Sequence, residues 1–215
     1  MGETFALDER PSGPGKLEPS VQHKMSMENR AQKAIFGYAR LDVIKNKEEF
    51  LFGTWNERPL KPGQVSRLVQ SFLTKGADRF SYTKAIPLVL KKSDVKEGTY
   101  AKTYTPGIDA VLDLPILALE DGKKGKKKLV AAGGQHRVRA VEEWTKILNK
   151  QHSELELERE MLEQQDSEAV TSTEIRNENE QQKPKRDVLQ ETLALGGQWM
   201  VVLYDRGEFF HRVLT

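Results

Sequence analysis

Residues 129–144 read LVAAGGQHRVRAVEEW, and this stretch indicates a strand, a turn and a helix in direct succession. The apolar run at 129–132 is typical of a buried strand, and it meets Gly133 and Gly134. Apolar residues then return at helical spacing, which predicts a helix beginning near Gln135. The first turns of this helix carry three side chains that can hold positive charge, His136, Arg137 and Arg139.

The residue types in this stretch favour a phosphate site. Glycine lets the backbone come close to a ligand and adopts φ values that other residues avoid. The start of a helix presents N–H groups without an internal partner and the positive end of the helix dipole. Arginines near such a start add charge and donors that suit phosphate. We therefore expect backbone N–H groups at Gly133 and Gly134 and the cations at 136, 137 and 139 to bind an anion.

Composition sets the class of protein. The chain has 215 residues, 37% hydrophobic and 31% charged, which predicts one domain with polar tails or insertions. The net charge of +2 does not indicate a strongly basic nucleic-acid-binding protein. The absence of cysteine excludes disulfides, zinc–thiolate centres and thiol nucleophiles. The four histidines lack metal-ligand spacing, so we predict no metal site of the protein's own.

Targeting signals are not evident in the sequence. No window approaches 18 continuous apolar residues, and the first 30 residues lack the apolar core of a secretory signal. These features predict an intracellular protein without a membrane partner, located in the cytoplasm or the nucleus.

The spacing of apolar residues and the positions of Gly and Pro predict the order of elements that precede the glycine pair. Residues 1–32 are polar and rich in Pro and Gly, which predicts a disordered tail before a domain at 33–215. Apolar residues at 34–52 predict a first strand or helix of unclear period. Helical spacing predicts a helix at about 63–75, stopped by Gly76. Apolar runs predict strands at 85–90 and 114–119, and the second is expected to form a hairpin with 129–132 across Asp121–Gly122.

The second half of the chain alternates polar and apolar segments. The helix from Gln135 is expected to run well beyond residue 150. Residues 163–186 are rich in Glu, Gln and Lys and predict a disordered or solvated part of an insertion at about 150–197. A short helix at 188–195 should end at Gly196–Gly197, ahead of a buried strand at 199–204 and a turn at 205–208.

The order of these parts resembles the sulfiredoxin/ParB N-terminal domain superfamily. The likeness rests on Arg58-Pro59-Leu60, on the helical segment Gln64 to Phe72 and above all on the loop Gly134-Gln135-His136-Arg137-Val138-Arg139-Ala140. Sulfiredoxins carry Gly-Gly-Cys-His-Arg at that loop, and ParB-type proteins carry Gly-Glu-Arg-Arg-x-Arg-Ala. The resemblance covers about residues 54–205.

The resemblance implies an α/β (α+β) fold, a small mixed sheet with packed helices, that binds a nucleotide such as ATP, ADP or CTP, with Mg²⁺ as its companion. The loop and the helix start would hold the phosphates, and the helix at 63–75 would contact the rest of the nucleotide. The nucleotide-binding residues so implied are Gly133, Gly134, Gln135, His136, Arg137, Arg139, Arg58, Gln64, Arg67 and Ser71.

Departures from the family pattern limit the chemistry. Sulfiredoxin activity is rejected, because its nucleophilic cysteine is replaced by Gln135. The same glutamine replaces the acidic residue of ParB-type hydrolases, and an amide is a poor proton acceptor. Hydrolysis or phosphoryl transfer would then depend on another carboxylate, for which Glu57, Glu142 and Glu143 are candidates.

Three functions remain open from the sequence. The leading one is a nucleotide-binding domain with hydrolysis or phosphoryl transfer as an added activity. The second is a DNA-associated regulatory or nuclease-like module. The lysines at 123–128 are typical of a solubilising hairpin tip, and a nucleic-acid contact is the alternative. The third is an interaction module without a ligand, whose Glu/Gln-rich insertion at 150–186 contacts a protein partner.

Overall fold

An apolar eight-residue segment forms the central strand of the fold. The computed structural model describes residues 29–53, 59–104, 113–120, 128–166 and 172–213. Strand β5 (Gln198–Asp205) lies between β1 (Ile35–Asp42) and β3 (Ile86–Leu90). It runs antiparallel to β1 and parallel to β3, so the sheet is mixed. Trp199, Met200, Val201 and Leu203 are almost fully buried, as the predicted strand at 199–204 requires.

A second, two-stranded sheet corrects one predicted pairing. Strand β4 (Leu129–Val130) pairs in parallel with β2 (Phe50–Leu51), so the predicted hairpin of 114–119 with 129–132 is wrong. In the segment 114–119, Ile116 forms an isolated bridge with Arg40, and Leu119 forms one with Val95. An apolar run predicts a strand but does not specify its partner, and here Leu129 is buried in a pair with the distant Phe50.

Two helices begin close to the glycine pair and follow the sequence prediction. Helix α1 (Pro62–Lys75) has proline at its first position, buries Val65, Val69 and Phe72, and ends at Gly76 with φ of 77°. Helix α2 (Gln135–Asp166) begins at the predicted residue and continues past residue 150. The predicted helices at 63–75 and from Gln135 are therefore confirmed.

The Glu/Gln-rich insertion, predicted to be disordered or solvated, is helical where the structure describes it, and residues 167–171 lie outside the described residues. Residues 163–166 complete α2, and helix α3 (Ser172–Ala194) includes residues 172–186 in spite of Pro184. The predicted short helix at 188–195 is only the end of α3, although the stop at Gly196 is as expected. Glu, Gln, Lys and Arg are good helix formers, and contact with α2 stabilises a helix that the polar composition alone does not predict.

The segment after β5 is helical rather than the predicted turn. Helix α4 (Arg206–Val213) follows the strand directly. The Oδ1 atom of Asp205 accepts hydrogen bonds from the backbone N–H groups of Gly207 and Glu208, at 2.9 and 3.2 Å. Asp205 therefore caps the helix, a sequence signal that the turn prediction overlooked.

The N-terminal boundary of the domain lies partly within the described residues. Of the predicted tail, residues 1–28 lie outside the described ranges, and residues 29–32 form a helical turn. Ala31 in that turn packs against a small cluster of Ala34, Val89 and Phe209. The folded part thus begins before residue 33.

The main core lies between the sheet and the helices. The ring of Phe72 on α1 packs edge-on against Trp144 of α2, with centroids 5.8 Å apart, and lies 5.9 Å from the ring of Trp199 on β5. This aromatic cluster joins the three elements. The protein is a mixed α/β fold with a small sheet and several helices, as predicted at that level. None of the helices in the described ranges combines the length and the apolar character that crossing a bilayer requires.

Truncating a core leucine tests which face of the fold is buried. Leu203→Ala should lower the free energy of unfolding by about 2–5 kcal/mol, because the side chain is fully buried and leaves a cavity. Leu157→Ala on α2, where the leucine is 59% exposed, should change it by less than about 0.5 kcal/mol. Urea denaturation of both variants beside wild type measures the difference. Equal losses in the two variants would contradict the placement of β5 at the centre.

Candidate functional site

A pocket of about 480 Å³ lies where α1 and α2 begin. It brings together six of the ten residues predicted to bind nucleotide, namely Gln64, Gly133, Gly134, Gln135, His136 and Arg137. The remaining lining residues are Phe52, Gly53, Pro59, Lys61, Leu68, Ala131 and Ala132. Its volume falls within the range of small-molecule sites.

Two helix N-termini contribute to this pocket. The carbonyl of Gly134 accepts the first internal bond of α2, from the N–H of Val138 at 2.9 Å, so the N–H groups of 135–137 precede the helical ladder. The carbonyl of Lys61 plays the same part for α1, accepting from Gln64 and Val65. Neither helix has an acidic residue in its first turn. The two positive dipole ends therefore reinforce each other at one place.

A hydrogen bond joins the two helix starts. The backbone N–H of Lys61 donates to Nε2 of His136 over 2.9 Å. A ring nitrogen that accepts a hydrogen bond carries no proton, so Nε2 of His136 is unprotonated in this arrangement. For His136 to bind an anion as a cation, as predicted, this hydrogen bond would have to break. In the present structure the bond holds the start of α1 against α2.

Gly134 permits a close approach between the loop and the sheet. Its φ is +93°, and a Cβ at this position would lie 3.1 Å from Cγ1 of Ile86 on β3. At Gly133 the nearest atom to such a Cβ is Cγ of Pro87, at 3.8 Å, and φ is not in the left-handed range. Only the second glycine of the pair is thus demanded by backbone geometry and packing.

Arg137 lines the pocket but is held from behind by the protein. Its Nη1 donates to the carbonyl of Lys84 at 2.5 Å and of Ala85 at 3.4 Å, and its guanidinium lies 5.8 Å from the ring centre of Trp199. Nε1 of Trp199 donates to the same Lys84 carbonyl. Burial lowers the pKa of Arg137, opposed by the charge of Asp78. Its clearest role is to fix the turn before β3.

Arg139 points to carboxylates and is not among the lining residues. It forms ion pairs with Glu142 at 2.7 Å and Glu143 at 3.0 Å. Glu142 also pairs with Lys47 and Lys146. Partial burial raises the pKa of Glu142, but hydrogen bonds from the lysines and the charge of Arg139 outweigh it and bring the pKa to about 2. The charge of Glu142 in turn raises the pKa of Arg139.

Of the other predicted residues that the structure describes, none lines the pocket. Arg67 is exposed and Ser71 half-buried on α1, and neither lines it. Arg58 lies outside the described residues, as does Glu57. Glu142 and Glu143, the other candidate catalytic carboxylates, are paired with Arg139 away from the lining.

Lys61 and Phe52 also line the pocket, although neither was among the residues predicted from the sequence. Lys61 is the residue before Pro62, and a proline at the first helical position marks its predecessor as the cap, so the signal was present. The ring of Phe52 stacks on that of Phe50 at 5.4 Å and 10° and forms part of the apolar wall. Nothing in the sequence pairs Phe52 with a loop 80 residues away.

Comparisons with known proteins do not identify the chain. No protein-family model, no curated protein and no solved structure matches it. Within the described ranges, no group of three or more His, Asp or Glu side chains is arranged to hold a metal ion.

The two adjacent glycines provide a matched pair of variants. Gly134→Ala should lower the free energy of unfolding by about 1–2 kcal/mol, the cost of a left-handed conformation for a residue with a Cβ. Gly133→Ala should stay within about 0.5 kcal/mol of wild type. Urea denaturation compares them, and a larger loss in Gly133→Ala would show that the loop is placed differently.

The ion pairs of Glu142 predict a pH-dependent stability. Because its pKa is lowered from 4.5 to about 2 on folding, the carboxylate stabilises the protein above pH 4.5, and this contribution is lost as the pH falls towards 2. Glu142→Gln should therefore cost about 1 kcal/mol at pH 7, a figure reduced for screening of the exposed lysines. The gap to wild type should close between pH 4.5 and pH 2.

Denaturation curves at several pH values measure that gap. Glu158→Gln, an exposed glutamate on the same helix, is the control and should follow wild type at every pH. A gap for Glu142→Gln that stays constant with pH would mean that the ion pairs do not contribute.

Proposed function

We propose that the protein binds a nucleotide, or a phosphorylated small molecule of similar size, in the pocket between the starts of α1 and α2. The observation that carries this proposal is the convergence of two helix N-termini on one pocket. Backbone N–H groups at 135–137 are suitable donors for phosphate oxygens. Helix α1 contributes its positive dipole end, because Pro62 has no N–H and the N–H of Lys61 is bonded to His136. Lys61 and Arg137 add formal positive charge, and the described lining residues include no carboxylate.

The lining also suits the uncharged part of a nucleotide. Phe52 and Leu68 offer apolar surface in the pocket, and an aromatic ring is a good stacking partner for a base. Gln64 can donate to or accept from a base edge or a ribose hydroxyl. Anionic and aromatic recognition in one pocket is the combination that a nucleotide requires.

The arginines have a smaller part in this proposal than their residue types suggest. Arg139 is committed to Glu142 and Glu143, and Arg137 to two backbone carbonyls. Phosphate recognition therefore falls chiefly to the backbone and to Lys61. Such a site is preformed, because helix N–H groups need no side-chain ordering when a ligand arrives.

Likeness to the sulfiredoxin/ParB superfamily remains part of the proposal. It is supported by the loop that joins β4 to α2, by α1 beside it, and by a parallel β3–β5 pair beneath them. Sulfiredoxin chemistry is excluded by Gln135 at the position of the cysteine. Mg²⁺ would enter with the nucleotide, since it needs few protein ligands.

Hydrolysis and phosphoryl transfer require more than nucleotide binding. Both need a base or a water-orienting group near the phosphate. Gln135 lines the pocket and can orient a water molecule, but it cannot take up the proton. We therefore propose nucleotide binding, and an assay of phosphate release would test whether the bound nucleotide is also hydrolysed.

An interaction module without a ligand is the second candidate. The ion pairs of Arg139 and the backbone bonds of Arg137 favour it, because both satisfy the cations within the protein. The DNA-associated function stays a prediction. Of the lysines at 123–128, only Lys128 is described, and its Nζ donates to the carbonyl of Glu48 at 2.7 Å. An intracellular location likewise stays a prediction.

Lys61→Ala tests the leading proposal without disturbing the helix start, because the backbone N–H that bonds His136 is retained. Titration with ATP, ADP and CTP, each with and without Mg²⁺, should show binding to wild type and at least about tenfold weaker binding to the variant, the scale of one charged hydrogen bond. Isothermal calorimetry gives the affinity, and a thermal shift gives an independent reading.

Lys75→Ala at the far end of α1 is the matched control and should bind as wild type does. If no nucleotide shifts the melting temperature of wild type, the pocket is not a nucleotide site and the ligand-free candidate gains. If Lys61→Ala and wild type bind equally, the ligand lies elsewhere.

A further inference from the structure

A second concave surface lies at the C-terminal end of α1, whereas the pocket described above lies at its N-terminal end. It has a volume of about 760 Å³ and is formed where the last turn of α1 meets the flanks of α2 and α3. We call it the three-helix groove. Its residues are Phe72, Leu73, Gly76, Trp144, Leu148, Gln151, Glu154, Leu155, Glu158, Lys185, Val188, Leu189 and Thr192.

The walls of this groove are helix faces. On α2 the lining residues recur at intervals of three or four from Trp144 to Glu158, and on α3 they recur in the same way from Lys185 to Thr192. The α2 wall extends over about 21 Å, from 14 steps at 1.5 Å each. A surface of that length and periodicity suits an amphipathic helix, which places side chains at the same spacing.

The groove is open because α1 ends well before α2 does. Helix α1 packs beside the first half of α2 and stops at Gly76, whereas α2 continues to Asp166. Past Gly76, none of the described residues takes the place of α1 beside these flanks of α2 and α3. Val188 is consequently 64% exposed and Leu73 37% exposed, although both border a base of buried Phe72, Trp144 and Leu148.

The acidic residues around the groove favour a partner with positive charge. Glu154 and Glu158 lie on its rim, and Lys185 is the one basic residue among those that line it. Residues 151–166 of α2 contain six acidic residues and a single arginine. The last turn of α1 carries Lys75, whose charge offsets the negative end of that helix dipole, so the acidic character of the groove comes from α2. Glu154 pairs with exposed Lys150 at 3.6 Å, and an exposed pair of this kind exchanges readily for another cation.

We propose that the three-helix groove binds a basic amphipathic helix of a partner protein. Apolar side chains of that helix would cover Leu73, Val188 and the aromatic base, and its lysines or arginines would meet Glu154 and Glu158. The nucleotide pocket is at the other end of α1, so this proposal does not rest on the one above.

A model peptide tests the chemistry directly. The probe is a fluorescein-labelled helix of leucine and lysine, about 18 residues or roughly 27 Å long, with leucine on one face. Fluorescence anisotropy should show saturable binding to the wild-type protein that weakens with salt. A peptide with the same leucines and glutamate in place of lysine should not bind.

Three variants separate docking in the groove from attraction to an acidic helix. Leu73→Asp and Val188→Asp should each weaken binding by about tenfold, since both put charge into the apolar contact. Leu157→Asp adds the same charge at an exposed leucine of α2 that does not line the groove, and it should stay within about twofold of wild type. All three positions are exposed enough to keep the fold, which circular dichroism melting verifies.

Two results would overturn the proposal. The first is binding of the lysine peptide that survives both groove variants, or equal binding of the glutamate peptide. The second is a wild-type protein that light scattering shows to be a dimer while Val188→Asp is a monomer, which would assign the groove to a second copy of the chain.

Discussion

The close approach of Gly134 to Ile86 governs the geometry of the candidate site. With no Cβ and a φ of +93°, the loop can rest directly on β3, and α2 starts immediately afterwards. His136 in the first turn of α2 then accepts the N–H of Lys61 and fixes the start of α1. Two helix N-termini are thus brought together by one glycine and one neutral imidazole, and the pocket is the space that they enclose.

Elements with a strong local signal were predictable. Helix α1 has a proline start, an apolar stripe and a glycine stop, and β5 is a continuous apolar run. Pairings and polar helices were not predictable in the same way. Strand β4 pairs with β2 because both bury apolar side chains there, and α3 is helical through contact with α2 in spite of a polar sequence and Pro184. These outcomes depend on tertiary contacts that a single sequence does not encode locally.

The residues of the predicted loop lie together at one pocket, but only part of its electrostatics could be predicted from the sequence. The loop at 133–137 and Gln64 do line one pocket. Which arginines face that pocket depends on competition with nearby acceptors. Arg139 finds carboxylates three and four residues on in the same helix, and Arg137 finds carbonyls at the end of the turn before β3. An i,i+4 pattern of Arg139 and Glu143 was visible in the sequence and predicts this diversion.

Helix α2 links the two concave surfaces of the molecule mechanically. Its first turn forms one side of the phosphate-suited pocket, and its middle forms the floor of the three-helix groove, about 24 Å further along at 1.5 Å per residue. An uninterrupted helix behaves as a stiff rod over that distance. If a ligand in the pocket were to tilt the start of α2, the wall of the groove would move with it, and a helix bound in the groove would oppose that tilt.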